Sequence, residues 1–313
     1  MCNIIITGGN GFIGLHLIKK LVKLNFNVFN IDIKNKRKPL DITDFEEMRK
    51  IFKTIRPDVV IHLAAIASVP YCEKNIEKAY RVNVMGTLNI AKLAEKYGAK
   101  IIFASSSAVY GIPKVIPTPE SYPPSPINHY GITKLAGELI VKKHCGQYII
   151  FRIFNVYGPE CQRSYVIPDI IRKILKGGNK VFLSGTGEEK RDFIYIDDAI
   201  DAFLMVVRND ISGTFNLGTG TPTKIKDLAK IIAKLMGIKN VTFIFEGRTR
   251  EGDFPVNQAD ITRIRKVLGW TPRFSLERGL KFTIDYYVQR TKNYNNHNLR
   301  YDLTRNSRTK TCN

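Results

Sequence analysis

Cysteine is scarce in this chain of 313 residues: Cys2, Cys72, Cys145, Cys161 and Cys312 are odd in number, widely spaced and form no C-x-x-C pair. That excludes a disulfide framework and a zinc ribbon and suits a reducing cytosol. The five histidines fall at no ligand spacing, so no metal is expected. Long apolar runs are missing too. A membrane span needs about 18 consecutive apolar residues, and even Val59–Val69 is short and holds His62 and Ser68. A β-like run begins at Ile4, directly after Met1-Cys2-Asn3, which leaves no place for the charged and apolar regions of a signal peptide. The expectation is a soluble, cytoplasmic protein with no membrane partner. Acidic residues are outnumbered, 28 Asp+Glu against 49 Lys+Arg, for a formal net charge of +21. Such an excess suits an anionic partner, nucleic acid or a phosphate-bearing small molecule, although most of these charges read as ordinary solvated faces.

With 44% apolar residues, 25% charged residues and 23 glycines, the rest is a globular composition, which rules out a collagen-like or wholly disordered chain. Short β-branched or aromatic runs alternate with helical patterns through the first half. Asn3–Thr7, Asn27–Asp32, Val59–Ala64, Lys100–Ser105 and Tyr148–Phe154 are continuous rather than alternating in polarity, as strands buried on both faces are. Between them, Phe12–Leu24, Asp44–Ile55, Ala79–Tyr97 and Tyr130–His144 have helical spacing. The alternation predicts an α/β fold with a doubly wound parallel sheet over residues 1–158. The proline-rich stretch Gly111–Pro126 is an irregular loop. Helices at Val166–Lys176, Asp197–Arg208 and Ile225–Met236 and a strand near Lys180–Ser184 suggest a smaller α+β lobe over residues 159–290, with segments returning to the first domain. Residues 291–313 lose apolar periodicity and read as a basic, disordered tail.

Gly8, Gly11 and Gly14 follow the first strand and open a helix, in Thr7-Gly8-Gly9-Asn10-Gly11-Phe12-Ile13-Gly14. A pyrophosphate needs this combination: a tight turn, close backbone approach, and a helix N-terminus whose free N–H groups face the anion. A three-glycine turn alone is weak; here Asp32 closes the second strand where a carboxylate takes ribose hydroxyls. Asp32 favours NAD, since it repels a 2′-phosphate. The basic run Lys34, Lys36, Arg37 and Lys38 follows at once, so NADP stays open.

Tyr130 and Lys134 stand four apart in a helical pattern and share one face. An ammonium beside a tyrosine hydroxyl favours the phenolate and moves the tyrosine toward general-base chemistry. Tyr110 and Lys114 have the same spacing, but Pro113 lies between them and forbids the helix, which makes that pair a decoy. Ser105-Ser106-Ser107 follows a strand at its carboxyl end, where ligands gather in open α/β sheets.

Together, Thr7–Gly14, Asp32, His62-Leu63-Ala64-Ala65, Asn83–Thr87, Ser105–Gly111, Tyr130/Lys134, Asn155–Pro159, Arg191–Asp197, Asn216–Gly220, Arg250–Asp253 and Leu268–Pro272 occur in an order that resembles the extended short-chain dehydrogenase/reductase family, in its NAD-dependent nucleotide-sugar epimerase/dehydratase branch. The resemblance spans roughly residues 3–288 and leaves the tail out. It implies a Rossmann-type domain with a smaller substrate-binding lobe. It implies Tyr130 as acid/base, Lys134 as its partner and Ser106 as the catalytic serine. It assigns Gly8, Gly11, Phe12, Ile13, Gly14, Asp32, Asp41, Ile42, Leu63, Ala64, Ala65 and Asn83 to the cofactor, with Tyr130 and Lys134 touching it as well. Asn155, Arg191 and Arg250, with Ser106, fall to the nucleotide sugar, guanidinium forks being suited to phosphate oxygens. His62 is a core residue in either reading. Relatives often form homodimers through helices near Ala79–Tyr97 and Tyr130–His144.

Family 4,6-dehydratases carry an acidic pair just after the catalytic Ser/Thr, where this chain has Ser107 and Ala108, so dehydration is disfavoured. The expected activity is that of an NAD-dependent 4-epimerase of a UDP-hexose, through a transient 4-keto sugar. Between Asp32 and Asp41 the chain is far shorter than in typical UDP-glucose 4-epimerases, and Leu40–Asp44, Pro57–His62 and Val69–Glu73 are also similar to reductases of nucleotide-linked 4-keto-6-deoxy sugars, which use external NAD(P)H. A third reading, from the charge and the tail, is a catalytically idle nucleotide-sensing or nucleic-acid-binding protein on the same fold. Nucleic acid is the less favoured partner, because basic and aromatic residues do not interleave as in single-strand binders.

Overall fold

The triplet Ile4-Ile5-Ile6 shows how the core is organised. In the computed structural model, which describes residues 2–161, 164–247 and 254–306 and side chains as far as Thr291, all three side chains are fully buried, Ile4 and Ile6 in one apolar cluster and Ile5 in another. Val59 and Ile61 divide from Val60 in the same way, and Ile149 and Phe151 from Ile150. Successive side chains of a strand point to opposite faces, so one apolar run feeds two cores and the sheet between them is covered on both sides.

That sheet has six parallel strands. β1 (Asn3–Thr7), β2 (Asn27–Ile31), β3 (Val59–His62), β4 (Lys100–Ser106) and β5 (Tyr148–Ile153) are joined at the far edge by Gly213–Leu217, in the order β2-β1-β3-β4-β5-Gly213–Leu217. The helices α1 (Phe12–Lys23) and α2 (Phe45–Ile55), then Gly86–Tyr97 and His129–His144, supply the crossovers. The strand order reverses at β1, which has β2 on one side and β3 on the other. A crevice therefore opens beyond the carboxyl ends of β1 and β3, the place where doubly wound sheets bind ligands. The fold is the Rossmann-type α/β architecture that the sequence pattern implies.

A second, smaller sheet is built on Lys190–Tyr195, which pairs with Asn155–Tyr157, Val256–Asn257 and, antiparallel, Pro222–Lys224. A separate parallel pair, Lys180–Leu183 with Thr242–Phe245, lies beside the helices Val166–Leu175 and Ile225–Leu235. Asp192 fastens this second sheet to the main one. Its carboxylate is fully buried and accepts from the Thr219 and Gly220 amides at 2.7 and 2.8 Å, the Thr219 hydroxyl at 2.6 Å and the Ala259 amide at 3.2 Å.

Two sequence expectations need correction. The pattern Ala79–Tyr97 is not one helix: Ile76–Tyr80 passes through a π-helical stretch, Arg81–Met85, into Gly86–Tyr97. The cause is Asn83, whose buried side chain accepts from the Ile66 amide at 2.8 Å and donates to the Ile66 carbonyl and the Thr133 hydroxyl at 3.1 and 3.0 Å. A side chain bonded across elements at a π-bulge is a recurrent feature of functional sites. The second correction concerns the tail. The closing helix runs Leu276–Asn306, through most of the segment expected to be disordered. Extending an existing helix escapes the cost of nucleation, so polar residues can follow an anchored first half. Residues 307–313 lie outside the described residues.

His62 is the core histidine the sequence suggests. Its Nε2 lies 3.0 Å from Thr87 Oγ1, which already donates to the Asn83 carbonyl at 2.6 Å, so Nε2 carries the proton; Nδ1 accepts from Thr7 Oγ1 at 2.6 Å. The ring also stacks on Phe103, with centroids 5.6 Å apart. Burial, with Lys134 nearby, pushes its pKa from 6.5 down to about 3. Between those values the unfolded chain binds a proton that the folded chain refuses, so stability falls as pH drops from 6.5 toward 3. This one group contributes a slope of up to about 1.4 kcal/mol per pH unit. Urea denaturation at pH 4.5 and 7 is expected to show a smaller loss of stability on acidification in His62→Gln than in the wild type.

Candidate functional site

Gly8 sets the first half of the site. Its φ of +73° is a left-handed conformation that favours glycine. A Cβ there would lie 2.7 Å from the Ala64 backbone, so the turn after β1 presses against the chain leaving β3. Gly14 is packed as closely, its would-be Cβ 2.6 Å from Gly9 Cα. α1 then begins at Gly11 with no side-chain cap, leaving the first amides of the helix aimed at the crevice. Phe12 and Ile13 stand in the first turn of α1, half-buried.

Asp32 joins this turn to the basic loop. The nearly buried carboxylate accepts from the Asn10 amide at 2.8 Å and the Lys34 amide at 2.7 Å, one on each oxygen. Lys34, Lys36, Arg37 and Lys38 are exposed, and Lys38 pairs with Glu47 at 2.7 Å. This matches the solvated-loop reading of the run. Asp41 accepts from the Thr43 amide at 2.9 Å, and Ile42 is buried against Gly86. Leu63, Ala64 and Ala65 continue from β3 along the crevice wall, with Asn83 behind them bonded to Ile66.

The residues present fit a dinucleotide: a turn with no room for a side chain at Gly8, uncapped helix amides suited to a pyrophosphate, and a fixed carboxylate at the ribose position.

The second half lies at the end of β4. Asn128 caps the helix His129–His144, accepting from the Gly131 amide at 2.8 Å. Tyr130 and Lys134 fall on the face that meets the strand. Lys134 is buried; its Nζ donates to the Ala104 carbonyl at 2.7 Å and sits 5.0 Å from the Phe103 ring centroid and 6.0 Å from that of Tyr130. Ser106 Oγ accepts from the Ala108 amide at 3.2 Å, and its hydroxyl is near enough to Tyr130 to act on the phenol. The structure thus brings Ser106, Tyr130 and Lys134 together.

Electrostatics here depart from the sequence expectation in one respect. Burial holds the Tyr130 hydroxyl above its ordinary value, with Tyr165 and Cys72 adding to the rise and the Ser106 hydrogen bond opposing it. Lys134 is pushed down to about 8 by burial, against the influence of Cys72 and Glu138. In the protein alone, desolvation outweighs the pull of the ammonium on the phenol.

Tyr110 is a core residue rather than a partner of Lys114. It is buried, its hydroxyl donates to Asn216 Oδ1 at 2.6 Å, and burial pushes its pKa up to about 12. Of the residues expected at the sugar nucleotide, Asn155 donates to the Asp192 carbonyl at 3.1 Å and Arg191 to the Phe254 and Lys190 carbonyls at 2.6 and 3.0 Å. Both belong to the paired strands of the smaller sheet. Arg250 lies outside the described residues. Sequence reasoning missed Tyr165, at the start of Val166–Leu175, a second phenol whose charged form would oppose that of Tyr130. It missed Cys72 on Val69–Lys74 for the same reason, since neither stands in a recognisable spacing.

Residues 4–218 match the model of the NAD dependent epimerase/dehydratase family. A putative UDP-glucose 4-epimerase of Methanocaldococcus jannaschii is 35% identical over 90% of this chain and 97% of its own length. A UDP-glucuronic acid decarboxylase of Xenopus tropicalis is 31% identical over 91% of this chain and 72% of its own. Among solved structures, the UDP-glucose 4-epimerase of Thermotoga maritima with UDP-glucose superposes with a TM-score of 0.85 at 34% identity, covering 92% of this chain and 99% of that one. The Thermus thermophilus UDP-glucose 4-epimerase in complex with NAD does so with a TM-score of 0.82 at 26% identity, covering 91% and 98%. The crevice at β1, the serine, tyrosine and lysine at β4 and these matches agree, and the chain belongs to the NAD-dependent epimerase/dehydratase family.

Proposed function

We propose that this protein is an NAD-dependent 4-epimerase of a UDP-hexose. The observation that carries the reading is the grouping of Ser106, Tyr130 and Lys134 at the end of β4, with Ser107 and Ala108 rather than an acidic pair directly after the serine. Ser107 Oγ is engaged by Asn257 Nδ2 at 3.0 Å and Ala108 is a buried methyl group, so neither position offers the acid and base that elimination of water requires. Relatives named for epimerisation of UDP-glucose support the same reading.

In this proposal Gly8, Gly11, Phe12, Ile13 and Gly14 hold the NAD pyrophosphate, Asp32 the adenosine ribose, Asp41 and Ile42 the adenine side, and Leu63, Ala64, Ala65 and Asn83 the crevice wall. Bound NAD supplies the hydride acceptor for the sugar C4 and the donor that restores it. Tyr130 Oη takes the proton of the sugar 4-hydroxyl, with the Ser106 hydroxyl bonded to both oxygens as the charge moves. Lys134 supplies the positive charge that favours the phenolate and holds the cofactor ribose. Arg191, Arg250 and Asn155 grip the diphosphate end, so the sugar turns about that anchor and presents its other face before the proton and hydride return. The assembly that goes with this is a homodimer through the helices Gly86–Tyr97 and His129–His144, the second of which exposes Leu139 and Ile132. Among the described residues no helix is long and apolar enough to cross a membrane, and the partner is the nucleotide sugar rather than nucleic acid.

Two experiments test the reading. Proton NMR of the purified protein with UDP-glucose, UDP-galactose or their N-acetyl counterparts, without added reduced cofactor, is expected to show the second epimer growing in. Tyr130→Phe is expected to lower turnover by at least about 100-fold, the scale of a lost general acid–base group, with NAD binding kept. No epimer from any of these sugars, but oxidation of added NADPH by a 4-keto-6-deoxy sugar nucleotide, would replace the epimerase by a reductase. Gly8→Ala checks the cofactor site separately: with φ at +73° and the Ala64 backbone 2.7 Å from the new Cβ, equilibrium dialysis is expected to show NAD binding lost.

A further inference from the structure

The last three residues of β4 are each tied to the same face of the helix His129–His144. The Ala104 carbonyl accepts from Lys134 Nζ at 2.7 Å, Ser105 Oγ donates to Glu138 Oε1 at 2.6 Å, and the Ser106 hydroxyl is near enough to Tyr130 to act on its phenol. Positions 130, 134 and 138 are one turn apart, so these contacts form a row along the helix. The helix lies tight on the strand because residue 137 is glycine: a Cβ there would be 2.6 Å from Phe103 Cζ. Two members of the row belong to the proposed reaction, and the third, Glu138, has no part in it.

Glu138 is fully buried and tightly held. Arg152 of β5 donates to it twice, Nε to Oε1 at 3.0 Å and Nη2 to Oε2 at 2.8 Å, and Lys142 Nζ stands 3.8 Å from Oε2. Arg152 in turn lies over the Tyr110 ring, 4.8 Å from its centroid, and donates to the Glu120 carbonyl at 3.1 Å. A buried ion pair is by itself weak evidence of stabilisation, since an apolar pair of the same volume often serves as well. What marks this one is its place: its carboxylate is bonded to the residue next to Ser106 and stands one turn from Lys134.

We propose that Glu138 is a positioning residue for the Ser106–Tyr130–Lys134 set, fixing the helix in register with the end of β4 through Ser105 and holding Lys134 in its protonated form. The proposal rests on the epimerase reading for its kinetic consequence, and for the state of Lys134 on the placement of Glu138 one turn along the same helix face. The groups that face Lys134 are Tyr130 and Glu138 from its own helix, Cys72 from Val69–Lys74, His62 from β3 and the Phe103 ring from β4. His62 is neutral and burial pushes the Cys72 thiol up to about 11, which leaves Glu138, paired with Arg152, as the carboxylate of this set. Burial drives Lys134 toward its neutral form, and this carboxylate opposes it. Losing the anion also leaves the Arg152 cation uncompensated, which acts in the same direction.

The test compares Glu138→Gln, Glu138→Asp and Ser105→Ala with the wild type. Nζ titration is followed by nitrogen-15 NMR of lysine-labelled protein, with the Lys134 signal identified by its absence in Lys134→Arg. In Glu138→Gln the Lys134 midpoint is expected to fall by about one pH unit, the scale of one nearby charge. The alkaline limb of the kcat profile should move down with it while KM stays within about twofold. Ser105→Ala keeps the charge, so its Lys134 midpoint is expected to stay and its kcat to fall at every pH. A folded Glu138→Gln with an unmoved Lys134 midpoint overturns the proposal, as does a Ser105→Ala enzyme with wild-type kcat. If Glu138→Gln fails to fold, Glu138→Asp decides: the midpoint kept with kcat lowered supports the positioning role, and wild-type kcat overturns it. The titration needs no substrate, so failure of the wild type to epimerise UDP sugars refutes the function proposed above and leaves the state of Lys134 still measurable.

Discussion

The close approach of the helix His129–His144 to the end of β4 is the constraint on which the rest of the site depends. Glycine at 137 lets the helix settle over Phe103, and from that contact Lys134 reaches the Ala104 carbonyl and Tyr130 comes within the influence of the Ser106 hydroxyl. Phe103 is also the ring on which His62 stacks, and His62 binds Thr7 at the end of β1 and Thr87 beyond the π-helical turn. One packed aromatic thus connects the proposed acid–base group to the strand end that carries the glycine turn. The two halves of the crevice are held at a fixed separation by core packing, and close-packed interiors transmit such constraints with little slack.

The second sheet shares one apolar cluster with the main sheet, and a buried polar network adds to that packing. Asp192 gathers four donors from two segments, and Asn216, in the last strand of the main sheet, accepts from Tyr110 and donates to the Thr118 and Asp260 carbonyls. Buried polar networks of this kind are costly when half-made and specific when complete. They stand beside the paired strands that carry Asn155 and Arg191.

Local spacing carried most of what the sequence reveals. The glycine turn and Asp32 are legible because a strand, a turn and a helix follow one another along the chain, and the Tyr130/Lys134 pair because i and i+4 share a helix face. The chain also declares its own decoy, since Pro113 forbids a helix between Tyr110 and Lys114. What escaped is non-local. Nothing in the sequence joins Ser105 to Glu138, 33 positions apart, or sets Tyr165 toward Tyr130. Gly213–Leu217 gave no strand signal because Asn216, polar and fully buried, interrupts the apolar run for the sake of the network it serves. The π-helical turn at Arg81–Met85 is hidden for a similar reason, its cause being a bond from Asn83 to a loop 17 positions away.

The central claim is that one hydride leaves the sugar and returns to it within the same site. It is tested most directly with a UDP-hexose carrying deuterium at C4, incubated with the enzyme and its NAD until both epimers are present and then analysed by mass and NMR spectrometry. The account predicts that both epimers keep the deuterium at C4, whatever unlabelled NADH is added. Deuterium lost to solvent, or replaced by hydrogen from the added cofactor, would contradict it.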